Sequence, residues 1–206
     1  MTTRIPLLAA LWLALFAGAA LAASPDMASA LVKDTSQRMI KTLEQRRAEI
    51  DRDQTLIYKL VGEILVPHFD FEGITQSAVG RYWGEATPEQ RKTLTVAFQE
   101  LLVRTYAKAL LRYTGQEIRF LPVRPGPNAD SVAVSSQVIQ AGAPPLAIDY
   151  KLHTKGGAWK IHDVSVDGVS LMTNYRSDFA AKIRQGGIDG LVQRLNEMNR
   201  KVSGAG

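Results

Sequence analysis

Apolar residues recur along this chain with two periods, first every three to four positions and later every second one. In "DRDQTLIYKLVGEILVPHF", Leu56, Ile57, Leu60, Val61, Ile64 and Leu65 share one helix face, and Pro67 ends the run. Residues 25–50 read as a more polar helix. Met27, Leu31, Met39 and Leu43 form a thin apolar stripe, and Lys33, Arg38, Lys41, Arg46 and Arg47 occupy the other faces. "DFEGITQSAVGRYW" predicts a short third helix that closes near Gly80 or Gly84.

The segment "ATPEQRKTLTVAFQELLVRTYAKALLRYTG" carries the sharpest local signal. Thr87 is placed as an N-cap, Pro88 takes the first helical position, and Gln90 completes a capping box. Leu94, Ala97, Phe98, Leu101, Leu102, Thr105, Ala109 and Leu110 trace one face, and Gly115 is the predicted stop. A helix over 88–114 has about 27 residues and spans ~40 Å, enough to be the spine of a domain.

Beyond Gly115 the period becomes two. Strands are predicted at "EIRFLPVR", "DSVAVSSQVIQ", "LAIDYKLHTK" and "AWKIHDVSVDG". In the third, Leu146, Ile148, Tyr150 and Leu152 face one way and Asp149, Lys151 and His153 the other. Gly156-Gly157 makes the last two an antiparallel hairpin. Two helices follow, about 170–185 and 188–201, split at Gly186-Gly187. Helices, then a four-stranded antiparallel meander, then helices define an α+β fold.

The two ends stand apart from this pattern. "MTTRIPLLAALWLALFAGAALAAS" has an early arginine, a short apolar run and Ala20-Leu21-Ala22, so residues 1–22 are expected to be a cleaved signal peptide. Residues 23–202 are expected to form a single domain and 203–206 a flexible tail. The chain has no cysteine, so after export it is held by its core and not by disulfides, and a lipid-modified cysteine is excluded. Cleavage removes one arginine and no acid, leaving a charge of +4. For an exported chain this points to a solvated basic surface, an anionic lipid surface or an acidic partner in preference to nucleic acid.

Reactive groups do not converge in the sequence. His68, His153 and His162 lack metal-ligand spacing, and no thiolate exists to join them, so neither metal nor cofactor is expected. His162 and Asp163 are strand neighbours, which places them on opposite faces. Ser170 in "DGVSLM" departs from a nucleophile elbow, because Met172 stands where a glycine is needed. Ser170 fits the N-cap of the next helix instead. Asp70, Glu72, Asp163 and Asp167 could act as acid–base groups only if the fold gathered them. The apolar faces of spine and sheet serve close packing and a cavity equally well.

Three longer segments narrow the choice. "GRYWGEATPEQRKTLTVAFQELLVRTYAKALLRYTG", "PPLAIDYKLHTKGGAWKIHDVSVDGVSLMTNYRSDF" and "GGIDGLVQRL" together resemble the MlaC family of periplasmic phospholipid-binding, or toluene-tolerance, proteins. The likeness covers about residues 25–200. It departs from the family pattern at His162, where tyrosine is common, and at Asp167, where glutamate is common.

The resemblance implies a non-catalytic periplasmic carrier with a deep apolar cavity between sheet and helices. Its implied partners are a phospholipid, an inner-membrane ABC transporter complex and an outer-membrane lipoprotein–porin complex, with transient contacts only. Through it the carrier would maintain outer-membrane lipid asymmetry. Candidate lining residues from the spine are Phe98, Leu102, Tyr106 and Leu110. The sheet offers Val132, Val134, Ile148, Tyr150, Leu152, Val164 and Val166. The corner and final helix add Val169, Leu171, Met172 and Tyr175. Arg81, Asn174 and Arg176 are candidates for the headgroup end. An NTF2-like small-molecule enzyme using His162 or Asp163, and a scaffold bridging envelope complexes, are the alternatives.

Overall fold

The computed structural model describes residues 24–128, 130–202 and 204. The predicted leader and most of the predicted tail lie outside the described residues. Helix α1 (Pro25–Gln45) is followed by α2 (Arg47–Arg52), α3 (Leu56–Ile64), α4 (Phe71–Val79) and α5 (Pro88–Leu110). Short 3-10 turns at Val66–His68 and Gly80–Glu85 flank α4. Strands β1 (Glu117–Phe120), β2 (Arg124–Pro125), β3 (Ser131–Ile139), β4 (Leu146–Lys155), β5 (Ala158–Val166) and β6 (Val169–Ser170) come next. The long run α6 (Leu171–Val202) closes the described chain and breaks at Gly187, where φ is 68°.

The sheet is an antiparallel meander of six strands where four were expected, and the two additions have local causes. The predicted first strand splits because Leu121-Pro122-Val123 interrupts it. Proline has no N–H to donate, so β1 and β2 pair with β3 on either side of the interruption. The other addition is β6. Asp167 and Gly168 both have positive φ, 48° and 78°, and make a two-residue hairpin turn that pairs β6 with β5. Asp167 is fixed in this conformation by Ala147, whose N–H donates to Asp167 Oδ1 at 3.0 Å.

A bulge in β5 reverses one sequence expectation. Opposite Lys151 and Leu152 the register shifts, so that Lys151 faces Asp163 and Leu152 faces Ile161. Ile161 and Val164 both turn inward with two residues between them instead of one. His162 and Asp163 are therefore not on opposite faces, and the His162 ring stacks on His153 at 4.7 Å.

The spine helix is also shorter than predicted. Its α-helical part ends at Leu110, and the chain continues to Tyr113 through tighter bonds from Leu111, Arg112 and Tyr113 N–H groups to the third carbonyl back. The predicted capping box at Thr87 and Gln90 is formed. Gln90 Nε2 also donates to Asp189 Oδ1 at 2.9 Å, tying α5 to α6 just past the Gly187 break. Arg91 donates to the Trp83 carbonyl at 3.1 Å and lies over the Trp83 ring. These contacts build one corner of the fold, remote from the inner face of the sheet.

Three apolar clusters form around that inner face. The first half of α5 packs with α4 and α6, where Phe98 meets Phe179 edge-on at 4.9 Å. The second joins α2, α3 and the end of α1. In the third, Ala28 and Val32 of α1 lie on Val132, Val134, Leu152, Trp159 and Ile161. Trp159 Nε1 donates to the Ser24 carbonyl at 3.0 Å, which fastens the start of α1 to the sheet.

Candidate functional site

The first and third clusters touch through Phe69, but the three do not fill the space they surround. Between them lies an apolar cavity with two lobes, of about 270 Å³ and about 590 Å³. Protein interiors pack as densely as organic crystals, so voids of this size are not packing defects. The larger falls in the range of small-molecule sites and the smaller lies just below it.

The first lobe lies between α3, α4, the second half of α5 and the middle of the sheet. Every residue lining it is apolar except Tyr106 and Tyr150. The sheet supplies Ile148, Tyr150, Val164 and Val166, and α5 supplies Leu102, Val103, Tyr106, Ala107 and Leu110. Leu171 and Met172 close it from the start of α6. Ser170 caps that helix, accepting from Thr173 N–H at 3.3 Å, and donates to Asp163 Oδ1 at 2.8 Å.

The second lobe runs from the first toward the end of α5. The later turns of α1, with Ser36, Met39, Ile40 and Leu43, form one side, and Ile118, Val138 and Leu146 of the sheet form the other. Leu65, Phe69, Leu110, Ile148 and Tyr150 line both lobes and so mark the junction. Arg112, Thr114, Gln116 and Gln140 give this lobe a polar rim. At the junction, burial pushes the Tyr150 phenol above its ordinary pKa, against the opposing effect of the Ser136 and Ser36 hydroxyls. Tyr150 keeps its proton and remains a neutral donor inside the apolar space.

Phe69 and Phe71 enter the wall by local geometry. The chain is extended between the Val66–His68 turn and α4, so alternate side chains point to opposite sides. The two phenyl rings stack at 5.5 Å, and both line the first lobe. Asp70 lies between them and points the other way. It caps α4 by accepting from Gly73 N–H at 3.1 Å, and it meets Lys155 at 2.7 Å and His153 at 3.0 Å. Burial alone would raise the Asp70 pKa. The Lys155 ammonium, the Gly73 N–H and His153 outweigh it and hold the carboxyl below its ordinary value. Glu72 also reaches Lys155, at 3.0 Å.

The fold thus gathers Asp70, Glu72, His153 and Lys155, but not inside the cavity. His153 lies on the face of β4 opposite Ile148 and Tyr150. Asp163, also on that side, pairs with Lys151 at 3.0 Å. Among the described residues no group of three or more histidine, cysteine or carboxylate side chains could hold a metal ion.

Of the sequence candidates, Leu102, Tyr106, Leu110, Ile148, Tyr150, Val164, Val166, Leu171 and Met172 come together around the cavity. The others are placed differently. Phe98, Val132, Val134 and Leu152 are buried in packed clusters and face other side chains. Tyr175 packs on Phe98 at 4.9 Å. Val169, on the outermost strand, is 53% exposed. None of the three headgroup candidates lies at either lobe. Arg81 donates to the Tyr82 hydroxyl at 2.9 Å. Arg176 donates twice to the Ser77 carbonyl, at 3.1 Å and 2.8 Å. Asn174 is an exposed position on α6. Sequence reasoning missed the contributions of α3, of Phe69 and Phe71, and of the later turns of α1.

Comparisons with known proteins agree with this architecture. The model of the family described as MlaC protein matches residues 33–197. A curated relative from Haemophilus influenzae, the intermembrane phospholipid transport system binding protein MlaC, is 24% identical over 170 residues, 81% of this chain and 79% of that protein. The toluene tolerance protein ttg2D of Pseudomonas putida is 27% identical over 160 residues, 77% of this chain and 74% of that one. A phospholipid-binding protein from Ralstonia solanacearum, solved in complex with a phospholipid, superposes with a TM-score of 0.78 at 34% identity, covering 85% of this chain and 98% of that chain. The chain belongs to the MlaC family.

Proposed function

We propose that this chain is a periplasmic phospholipid carrier that holds acyl chains in the two-lobed cavity and moves lipid between an inner-membrane ABC transporter complex and an outer-membrane complex. The observation that carries the reading is that two apolar lobes adjoin, sharing Leu65, Phe69, Leu110, Ile148 and Tyr150. Two apolar chambers with one junction suit a ligand with two tails. The phospholipid in the Ralstonia solanacearum relative supports the same ligand class.

The energetics require enclosure. An acyl chain gains roughly 0.8 kcal/mol per CH₂ on leaving water, so a chain of about 16 carbons would lose on the order of 12 kcal/mol if bared during an aqueous crossing. The polar rim of Arg112, Gln116 and Gln140 replaces Arg81, Asn174 and Arg176 as the headgroup end. The acid–base residues His153, Asp70 and Asp163 lie behind the sheet, which favours carriage over a reaction in the cavity.

The test is lipid extraction and mass spectrometry of protein purified from its own cells. Diacyl phospholipid at near-stoichiometric amounts is expected. Protein that never carries lipid would end the reading.

A further inference from the structure

A row of arginines crosses the seam between α4 and α6, outside the cavity. Arg176 and Arg184 are eight residues apart, so they leave the same side of α6 about 12 Å apart along its axis. Arg176 is anchored on the Ser77 carbonyl of α4, as described above. Arg81, on the 3-10 turn after α4, donates to the Tyr82 hydroxyl, and its guanidinium carbon lies 4.9 Å from the Tyr82 ring centre. Arg184 approaches the same hydroxyl, and the Arg81 hydrogen bond together with Arg184 holds the phenol below its ordinary pKa. Arg81, Arg176 and Arg184 are all exposed.

Among the described residues, none of the three has a carboxylate within the 4.0 Å of an ion pair. Glu85 acts on Arg81 only from farther away. Arg52 and Arg91 are likewise held on carbonyl oxygens, but other arginines differ. Arg46, Arg47, Arg104 and Arg124 each pair with an acid at 2.6–3.0 Å. The row is therefore a positive stripe without close carboxylate partners, whose guanidiniums are held by carbonyl and phenol oxygens. Such anchoring leaves free N–H groups aimed outward in the planar fork that carboxylates match.

We infer that this row is the docking surface for an acidic segment of a protein partner, with carboxylates about 12 Å apart set against Arg81, Arg176 and Arg184. A membrane surface fits less well. Among the described residues, the exposed large apolar side chains are Met27, Val96, Leu121, Leu146 and Val169, and none of them lies on α4, the Gly80–Glu85 turn or α6. Charge without an inserting apolar side chain suits a steered protein encounter. The inference does not rest on the carrier reading, since it needs no lipid in the cavity.

The test places a photocrosslinking residue at Gln185, beside Arg184, in the full chain expressed in its own cells. The expected adduct joins an envelope protein through a peptide rich in carboxylates. Arg81→Glu with Arg184→Glu lowers adduct yield about tenfold, as the loss of two exposed charge pairs implies. Reversing the partner's carboxylates to arginine restores it. Arg81→Gln with Arg184→Gln keeps donors for Tyr82 and shows the same direction of loss with unchanged thermal unfolding, which guards against misfolding. Adducts with lipid alone, adducts with a peptide lacking carboxylates, no adduct at all, or yields unchanged by both double variants would overturn the inference.

Discussion

Asp70 and Lys155 are 85 residues apart in the chain and meet at 2.7 Å at the end of β4. The contact lies on one side of the backbone, while Phe69 and Phe71 face the cavity on the other. An ion pair between the buried Asp70 carboxylate and the half-exposed Lys155 ammonium thus helps hold the two aromatic residues of the wall in register with the sheet. The Asp70 N–H, donating to the Ile161 carbonyl at 2.9 Å, adds a backbone tie at the same point.

Asp70→Asn keeps a capping oxygen for α4 but removes the charge. It is expected to destabilise the fold by about 1 kcal/mol, because the charge-assisted contacts of the buried carboxylate weaken while Glu72 still faces Lys155. Asp70→Ala loses the cap as well and should be worse by ~1 kcal/mol. Denaturant unfolding of the two variants checks the order. Equal stability of Asn and Ala variants would show that the cap contributes nothing.

Burial, with His153 nearby, pushes the His162 pKa below 6.5, against Asp163 and Asp70. The folded state therefore binds fewer protons than the unfolded one once pH falls below that value. The His162 contribution is fully present above pH 6.5 and is lost as pH drops through the depressed folded value. His68 is lowered too, chiefly by burial, and has the same sign. Thermal midpoints measured from pH 8 to pH 5 should fall for the natural chain. The decline should be shallower for His162→Gln.

Arg176 anchors α6 to α4 through the Ser77 carbonyl. Arg176→Gln is expected to reduce stability by about 1 kcal/mol and to leave the ratio of anionic to zwitterionic bound lipid unchanged. Lipid mass spectrometry beside thermal unfolding tests both halves. A shift in headgroup ratio would return Arg176 to the lipid site.

Leu110 stands at the junction of the lobes. Leu110→Trp fills it, and displacing even two methylenes of a tail costs ~1.6 kcal/mol, more than tenfold in affinity. Bound lipid should drop by at least about tenfold while circular dichroism stays native. Full lipid content in this variant would separate the ligand from the junction.

A bilayer already shelters acyl tails, so an apolar cavity gains little by extracting them. Transfer between liposomes by the carrier alone is therefore expected to be far slower than with the membrane complexes present. Fluorescent-lipid transfer assays compare the two. Equal rates would show that docking is dispensable.

Fold class, the hairpin turn at Gly156-Gly157 and the capping box at Thr87 were legible because each depends on nearby residues. The β5 bulge was written in the sequence too. Trp159, Ile161, Val164 and Val166 step by two, three and two, and the odd step is the extra residue. The split between β1 and β2 was likewise marked by Pro122. What could not be read was which apolar residues face empty space. Val134 and Val164 have the same side chain on either side of Tyr150 in β4, yet Val134 is packed against α1 and Val164 borders a void. That difference is set by where helices from distant parts of the chain come to rest. Phe69 and Phe71 left a faint trace, two aromatics bracketing an acid just after a helix-ending proline.

The first helix serves two parts of the molecule. Its early turns are fastened to the sheet through Trp159, Ala28 and Val32, whereas Met39, Ile40 and Leu43 roof the larger chamber. A single stiff rod therefore runs from floor to ceiling, seated on the sheet at one end and on α2 and α3 at the other. Any shift of that rod moves the ceiling of the larger chamber without parting a strand from its neighbour.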